Sequence, residues 1–262
     1  MGELDLWQLS IMTIVDLNGD GRVDGLDVSR MADRWGTDDS VCDIGPMPWG
    51  DGIVDVQDLR VLAEYIGEPV GDPTLIAHWA LDEAEGLTAY DSAGVNDGTV
   101  MGVPAWQPDG GKVGGALEFD GASAFVVTDC VVRSADGPFS ILAWIKGGGP
   151  GQVVISQQAG GDWLYANPAD GTLATECAGR VNKLLLSDAV ITDGQWHRIG
   201  ITWDGSHRRL YVDGEEVATD TQNGLASSDG KLVLGAGSHL ADGTFFTGLI
   251  DDVRIYNRAV KP

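Results

Sequence analysis

The stretch Asp16-Leu17-Asn18-Gly19-Asp20-Gly21-Arg22-Val23-Asp24-Gly25-Leu26-Asp27 sets side-chain oxygens at positions 1, 3, 5, 9 and 12 of a twelve-residue loop. Gly21 permits the sharp turn at position 6, Arg22 offers its carbonyl at position 7, and Val23 is apolar where the loop should face a core. A hard dication such as Ca2+ takes about six to eight oxygen ligands. Asp16, Asn18, Asp20, the Arg22 carbonyl, Asp24 and Asp27 make up such a set. The last ligand is Asp rather than the longer Glu, so bidentate reach there requires a helix close behind it. The competing reading, an acidic turn that merely caps a helix, does not account for five oxygens in register.

A second copy follows. Asp51-Gly52-Ile53-Val54-Asp55-Val56-Gln57-Asp58 aligns with Asp20-Gly21-Arg22-Val23-Asp24-Gly25-Leu26-Asp27 at an offset of 31. Counting back from Asp58 puts Met47 and Trp49 at positions 1 and 3, where neither side chain can ligate. Asp43 lies four residues further back, so this loop reads as enlarged. Its expected ligands are Asp43, Asp51, Asp55 and Asp58, with the Ile53 carbonyl where Arg22 stands in the first loop. Another backbone carbonyl replaces the missing Asn.

The elements that must position these loops are helices. After each terminal Asp the apolar residues fall at helical spacing: Val28, Met31, Ala32 and Trp35, then Leu59, Leu62, Ala63 and Ile66. A glycine, Gly36 or Gly67, stops each run. The unit is loop, helix, stop, used twice. Gly67-Glu68-Pro69-Val70-Gly71-Asp72-Pro73 then reads as a short stiff connection, giving domains at 1–70 and 75–262 with 71–74 as linker.

Charge agrees with this division. The 262 residues hold 16 bases and 40 acids, net −24. Residues 1–72 hold 16 acids and 4 bases, so about a quarter of the chain carries half of the excess. Carboxylates packed so densely call for a cation. The same charge repels phosphate backbones and anionic headgroups, which excludes nucleic-acid and membrane-surface partners, and no apolar run approaches the roughly 20 residues of a membrane span. Cys42, Cys130 and Cys177 are too few and too scattered for a zinc site or a disulfide framework. The opening MGELDLWQ has no basic n-region, and the expectation is a piece of a longer secreted protein.

Residues 75–262 have another texture. Short apolar runs alternate with turns, and Asp-Gly recurs from 109–110 to 242–243, a repeated hairpin signal. His197, Ile199, Ile201 and Trp203 fall on one face of a strand, Arg198, Gly200 and Thr202 on the other. With no long helical pattern between them, these strands predict an antiparallel β-sandwich.

The paired loops resemble type I dockerin repeats over about residues 11–67, which also end in Asp and run straight into a helix, without the entering helix of an EF-hand. That resemblance implies calcium binding and, as partner, a cohesin-like protein. Dockerins often meet cohesins through a Ser-Thr pair at loop positions 10 and 11. Here the pairs are Gly25-Leu26 and Val56-Gln57, so the calcium chemistry carries over better than the partner, and a calcium-stapled spacer is an equal alternative.

Six stretches in order resemble LamG-like, concanavalin A-like jelly rolls: His78–Gly86, Ala116–Gly121, Phe139–Ile145, Asp193–Arg198, Leu210–Gly214 and Gly248–Tyr256. The fold class is therefore mainly β, a jelly-roll sandwich behind a small α-helical dockerin-like domain. This fold hosts lectins, adhesion modules and glycosidases, so function must come from the site. The laminarinase-like array of acids on one strand face is missing. Asp251 and Asp252 are adjacent and should face opposite ways, so a glycosidase requires acids from separate strands to converge. Trp79, Trp144 and Trp203 read as core, and Trp196 as a strand entry. The candidate glycan contacts are Gln157, Gln158, Trp163, Tyr165, Arg180, Asn182, Lys183 and His239, which the resemblance places near the concave face. It also implies a structural calcium on the convex side at Asp251, with Asp82 or Asp120 as companion.

Together these readings predict a non-catalytic, extracellular or cell-surface, calcium-binding protein. A tethering or spacing module is joined to a sandwich that recognises a polysaccharide, glycoprotein or other protein. A glycoside hydrolase with dispersed acids and a purely structural scaffold fragment are the alternatives.

Overall fold

The computed structural model describes residues 15, 17, 23–46, 50–66, 72, 74–177, 184–226 and 229–262. The chain divides into two compact units, Met1–Pro73 and Thr74–Pro262. Asp16, Asn18, Asp20, Arg22, Trp49, Arg180, Asn182 and Lys183 lie outside the described residues.

In the first unit, helix α1 spans Gly25–Asp33 and helix α2 spans Val56–Tyr65. Each starts with the same device. Asp24 and Asp55 are N-caps that accept the amides of Leu26 and Gln57, both at 2.7 Å. Asp27 and Asp58 reach back to the amides of Asp24 and Asp55 at 2.8 and 2.6 Å. These reciprocal bonds satisfy amides that a helix start otherwise leaves unpaired. The repeat then contributes matched pairs to one core: Val23 with Val54, and Met31 with Leu62, all at most 1% exposed, packed with Val15, Leu17, Cys42 and Ile44.

The second unit is a sandwich of two antiparallel sheets. Sheet one runs β14 (Glu215–Thr221), β13 (His207–Val212), β12 (Trp196–Trp203), β7 (Phe139–Gly147), β16 (Thr247–Tyr256), β5 (Ala116–Asp120), β4 (Ala105–Gln107), with β1 (Leu75–Trp79) also paired to β16. Sheet two runs β11 (Leu185–Val190), β10 (Thr172–Thr175), β9 (Gly161–Ala166), β8 (Val153–Gln157), β15 (Leu232–Leu234), β6 (Phe125–Thr128), β3 (Gly98–Met101), β2 (Thr88–Ala89). Ile199, Ile201 and Trp203 point inward as their alternation requires, and Trp79 is in the same core. Burying side chains of this size contributes about 1.5–3 kcal/mol each.

Trp144 departs from its expected place. Its neighbours Ala143 and Ile145 take the inward positions of β7, which turns Trp144 to the outer side of sheet one. There the Lys112 ammonium lies 5.3 Å from the ring centroid, within cation–π range.

The outer side of sheet two is partly apolar as well. Val233, Ala236 and Phe245 form a separate cluster with Phe125, Val127 and Leu240, and the rings of Phe125 and Phe245 are 6.3 Å apart. β8 is consequently buried along its whole length.

Candidate functional site

Strands β8 and β9 do not pair evenly. Val153 faces Tyr165, Ile155 faces Leu164 and Ser156 faces Asp162. Val154 is thus an extra residue on one strand and Trp163 an extra residue on the other, two bulges that compensate each other. Their effect is to send consecutive residues, Trp163 and Leu164, into the core, while Asp162 and Tyr165 emerge on the outer side. Trp163 is fully buried and stacks on Phe139, with centroids 5.6 Å apart. It is a core residue, and no sugar can reach its ring. Gln157 is likewise buried, opposite the core residue Leu232, with its amide donating to the Val132 carbonyl. Neither position is a glycan platform.

Tyr165 packs on Val153 and Ala174 in a small outer cluster and is 7% exposed. Burial, and the charges of Glu176 and Asp162 beside it, push its hydroxyl pKa up. Glu176 follows β10 and donates its amide to the Asp162 carbonyl at 2.8 Å, so the two acids stand on neighbouring strands. Asp162 Oδ1 accepts the Ser238 amide at 2.8 Å, which brings the exposed His239 alongside. Asp162 thus stands between Tyr165, on whose hydroxyl its charge acts, and the loop that carries His239. Asp162 and Glu176 escaped sequence reasoning because they meet only through strand pairing.

On the other sheet, Asp251 is fully buried. One oxygen accepts the amides of Lys112 and Val113 at 2.6 and 2.8 Å. The other, Oδ1, is buried with no hydrogen-bond partner. Burial, with the charges of Asp252 and Asp82 nearby, raises its pKa to about 6 despite the two amides. Gly114, at φ +73°, leaves room that a Cβ would fill, 2.7 Å from Asp82 Oδ1. An orphaned carboxylate oxygen beside a second acid in a glycine-lined hollow fits a hard cation. Asp120 does not belong here, because its carboxylate is taken by the amides of Ala122, Ser123 and Ala124 in its own turn.

Asp252 does not face away from Asp251. A bulge with Asp252 at φ +47° breaks the alternation. Its carboxylate accepts from Arg254 Nε at 2.9 Å and meets His78 Nε2 at 2.8 Å, and both charges hold its pKa down against burial. His78 Nδ1 in turn meets Ser92 Oγ at 2.8 Å. This is a serine–histidine–aspartate series, but the backbone around it is already engaged. The Ser92 amide donates to His78, and those of Ala93, Gly94 and Asn96 donate to Asp91. Stabilising an oxyanion needs donors aimed at it, so the series serves as a clasp.

In the enlarged second loop, Asp43 accepts the amides of Asp51 and Gly52 at 3.0 and 2.7 Å. Asp58 Oδ1 accepts those of Ile44 and Gly45 at 2.7 and 2.6 Å. Asp51 accepts from the Ile53 amide and from Gln57 Nε2. The carboxylates thus fold onto their own loop. Among the described residues, no three His, Cys, Asp or Glu side chains converge as a metal cluster.

A two-sheet antiparallel sandwich of this topology defines a concanavalin A-like domain. The chain belongs to the concanavalin A-like lectin/glucanases superfamily, whose Laminin_G_3 family matches residues 119–262. Among solved structures, it is similar to the binding domain of Paraclostridial Mosquitocidal Protein 1, with TM-score 0.57, 15% identity, and 71% of this chain and 49% of that one covered. It is also similar to the botulinum neurotoxin serotype D ligand-binding domain in complex with N-acetylneuraminic acid, with TM-score 0.55, 14% identity, and coverage of 72% and 48%. A third likeness is to Trypanosoma rangeli sialidase in complex with the inhibitor DANA, with TM-score 0.52, 16% identity, and coverage of 74% and 32%. The chain spans about half the length of the first of these. No curated protein sequence matches it.

Proposed function

We propose that the chain is a non-catalytic, extracellular carbohydrate-binding protein, with calcium as a structural ion and the first unit as a tether or spacer. The observation that carries the reading is the group on the outer side of sheet two: Tyr165, Asp162 and Glu176, with His239 beside them. Polar groups converging on an otherwise apolar sheet face are what a sugar site requires. The binding domains among the similar structures, one of them holding a sugar acid, support this class.

Asp251, Asp82 and neighbouring carbonyls would hold the sandwich calcium, which would neutralise the buried carboxylate. In the first unit the calcium ligands proposed are those of the two loops, Asp24, Asp27, Asp43, Asp51, Asp55, Asp58 and the Ile53 carbonyl among them. Leu26 and Val56, at the partner-contact positions of dockerin-like loops, are 61% and 56% exposed. The side chains there are open to a partner but are not the Ser-Thr pair that docking to a cohesin-like protein often uses, so a spacer role stands beside the tether. None of the helices among the described residues is long and apolar enough to cross a membrane.

The test is retention of the chain on immobilised glycans, in calcium and in chelator. Binding to a defined glycan family is expected; silence in both buffers would remove the carbohydrate reading. One observation favours a second reading, glycoside hydrolysis: the backbones of two acids far apart in sequence, Asp162 and Glu176, are paired through the Glu176 amide, and that chemistry uses two carboxylates. Release of reducing sugar, lost in Glu176→Gln, would replace the first reading by this one.

A further inference from the structure

In residues 73–262, 24 acids stand against 12 bases, so a cation there has many carboxylates to choose from. Arg133, Arg208, Arg209, Lys231 and Arg254 each form an ion pair. Lys112, Lys146 and Arg198 form none with any described residue, and strand register brings all three to the outer side of sheet one. Trp144 on β7 faces Arg198 on β12, and Lys146, two residues on, faces Trp196. Ala143, Ile145 and Ile199, which alternate with them, are core residues, so these four side chains share the outer face. They stand at the corners of one rectangle, with the indoles on one diagonal and the cations on the other, about 7–8 Å apart at the backbone. Lys112 adds a third charge, its ammonium 5.3 Å from the Trp144 ring centroid.

The acids that border this face are engaged elsewhere. Asp213 accepts the Arg198 amide at 2.9 Å with one oxygen, and its other oxygen meets His197 Nδ1 at 2.8 Å. Glu216 pairs with Arg209. Glu118 accepts from Gln107 Nε2 at 2.7 Å and lies two strands from Lys146, about 10 Å away. Lys112 and Lys146 are exposed, and Arg198 and both indoles are partly exposed. The open area is small: one pair further along, Leu142 and Gly200 are buried, with Pro262 against Gly200. Three cations without carboxylates call for an anion, which they can meet with charge-assisted hydrogen bonds. A bare anion or an acidic peptide would use the cations alone. A sugar acid also has a flat C–H face, which an indole can cover while its N–H stays available to a hydroxyl. The net charge opposes a long polyanion, because a small positive patch acts over a Debye length of about 8 Å at physiological salt and the acids around it repel. A short acidic saccharide fits both limits.

We propose that Trp196, Arg198, Lys146, Trp144 and Lys112 form a binding surface for an acidic saccharide on the outer side of sheet one. Trp196 covers the C–H face of the sugar ring, Arg198 and Lys146 donate to its carboxylate or sulfate, and Trp144 holds Lys112 beside them. This surface shares the carbohydrate class with the function proposed above but none of its residues, so either can fail without the other.

The experiment is calorimetric titration of the full chain with a uronic-acid oligosaccharide, a sulfated oligosaccharide, the carboxyl-reduced form of the first, and an oligoglutamate peptide. Wild type, Arg198→Gln, Lys146→Gln and Trp196→Ala are compared, each with its melting temperature. Lys146 is exposed, so its substitution keeps the test valid even if another variant loses stability. The acidic saccharide should bind at least about tenfold more tightly than its reduced form. Arg198→Gln should weaken the acidic ligand about tenfold and Lys146→Gln somewhat less, with the reduced form unchanged. Added salt should act in the same direction, and Trp196→Ala should weaken both forms. Equal affinity for the acidic and reduced saccharides would overturn the charge argument. Binding that survives all three substitutions would place the site elsewhere. Oligoglutamate bound as tightly as the acidic saccharide would make this a surface for an acidic protein and overturn the glycan assignment. No binding of either acidic saccharide would overturn the inference outright, and neutral glycans retained in the same preparation would leave the carbohydrate reading of sheet two standing.

Discussion

Replacing Asp251 by Asn tests the cation reading of the buried carboxylate with a result that changes sign between two buffers. In the wild type, Asp251 Oδ1 is buried without a partner, while its other oxygen accepts two amides. An unpaired buried acceptor costs about 1–3 kcal/mol. Asparagine keeps one oxygen for Lys112 and Val113 and removes the charge that faces Asp82 and Asp252. In chelator, Asp251→Asn should therefore melt at or above wild type, by about 2–4 °C for each kcal/mol relieved in a domain of this size. In calcium at about a hundred times its dissociation constant, wild type gains about 2.7 kcal/mol. The variant has lost the carboxylate and gains little at this site. The order of the two melting temperatures should invert. The assay is thermal melting followed by the emission of the buried Trp79, Trp163 and Trp203, which all belong to the sandwich core. An equal calcium shift in both proteins, or a variant destabilised alike in both buffers, would refute the reasoning.

Two other predictions follow from described geometry. Trp163→Ala should lower unfolding free energy by about 3–5 kcal/mol in urea titration, the range for emptying a large aromatic from a packed core; an unchanged midpoint would return Trp163 to the surface. His197 lies between Asp213 and Asp193 at 2.8 and 3.1 Å. Burial alone would lower its pKa, but these two carboxylates outweigh that and raise it above 6.5. Its folded-state value exceeds its unfolded value, so the stabilisation is full below about pH 6.5 and disappears as pH rises through the folded pKa. The stability difference between wild type and His197→Gln should shrink between acidic and alkaline pH, and a constant difference would count against the pairing.

Much of the architecture was legible because local chemistry agrees with it. Asp24 and Asp55, each followed three residues later by another Asp, mark both helix starts. Repeated Asp-Gly turns and the alternation of Ile199, Ile201 and Trp203 give an antiparallel sandwich. The sites were less legible, for a reason that can be stated in residues. Sheet two has apolar side chains on both faces, so β8 reads as a continuous buried run and its period-two signal disappears. The bulges at Val154 and Trp163 then shift the phase of the strands without leaving a glycine or proline to mark the place. That is why Trp163 reads as a platform and is core. Trp144 errs in the opposite direction, since an apolar neighbourhood in sequence does not say which face of β7 a residue takes. Asp162 and Glu176 are fourteen residues apart and meet by pairing, which local spacing does not reveal.

The paired bulges of β8 and β9 also make chain length a control on surface chemistry. Each extra residue is absorbed within a few positions, and Val153 still faces Tyr165 beyond them. Loss of one residue between Asp162 and Leu164 would return the strand to strict alternation and exchange the faces on either side of the change. A single-codon deletion there would turn outer-face side chains inward and packed ones outward while the sheet kept its order of strands. Side chains on the outer face can therefore vary by substitution at little expense to the core, whereas a change in the length of this one strand would reach the core.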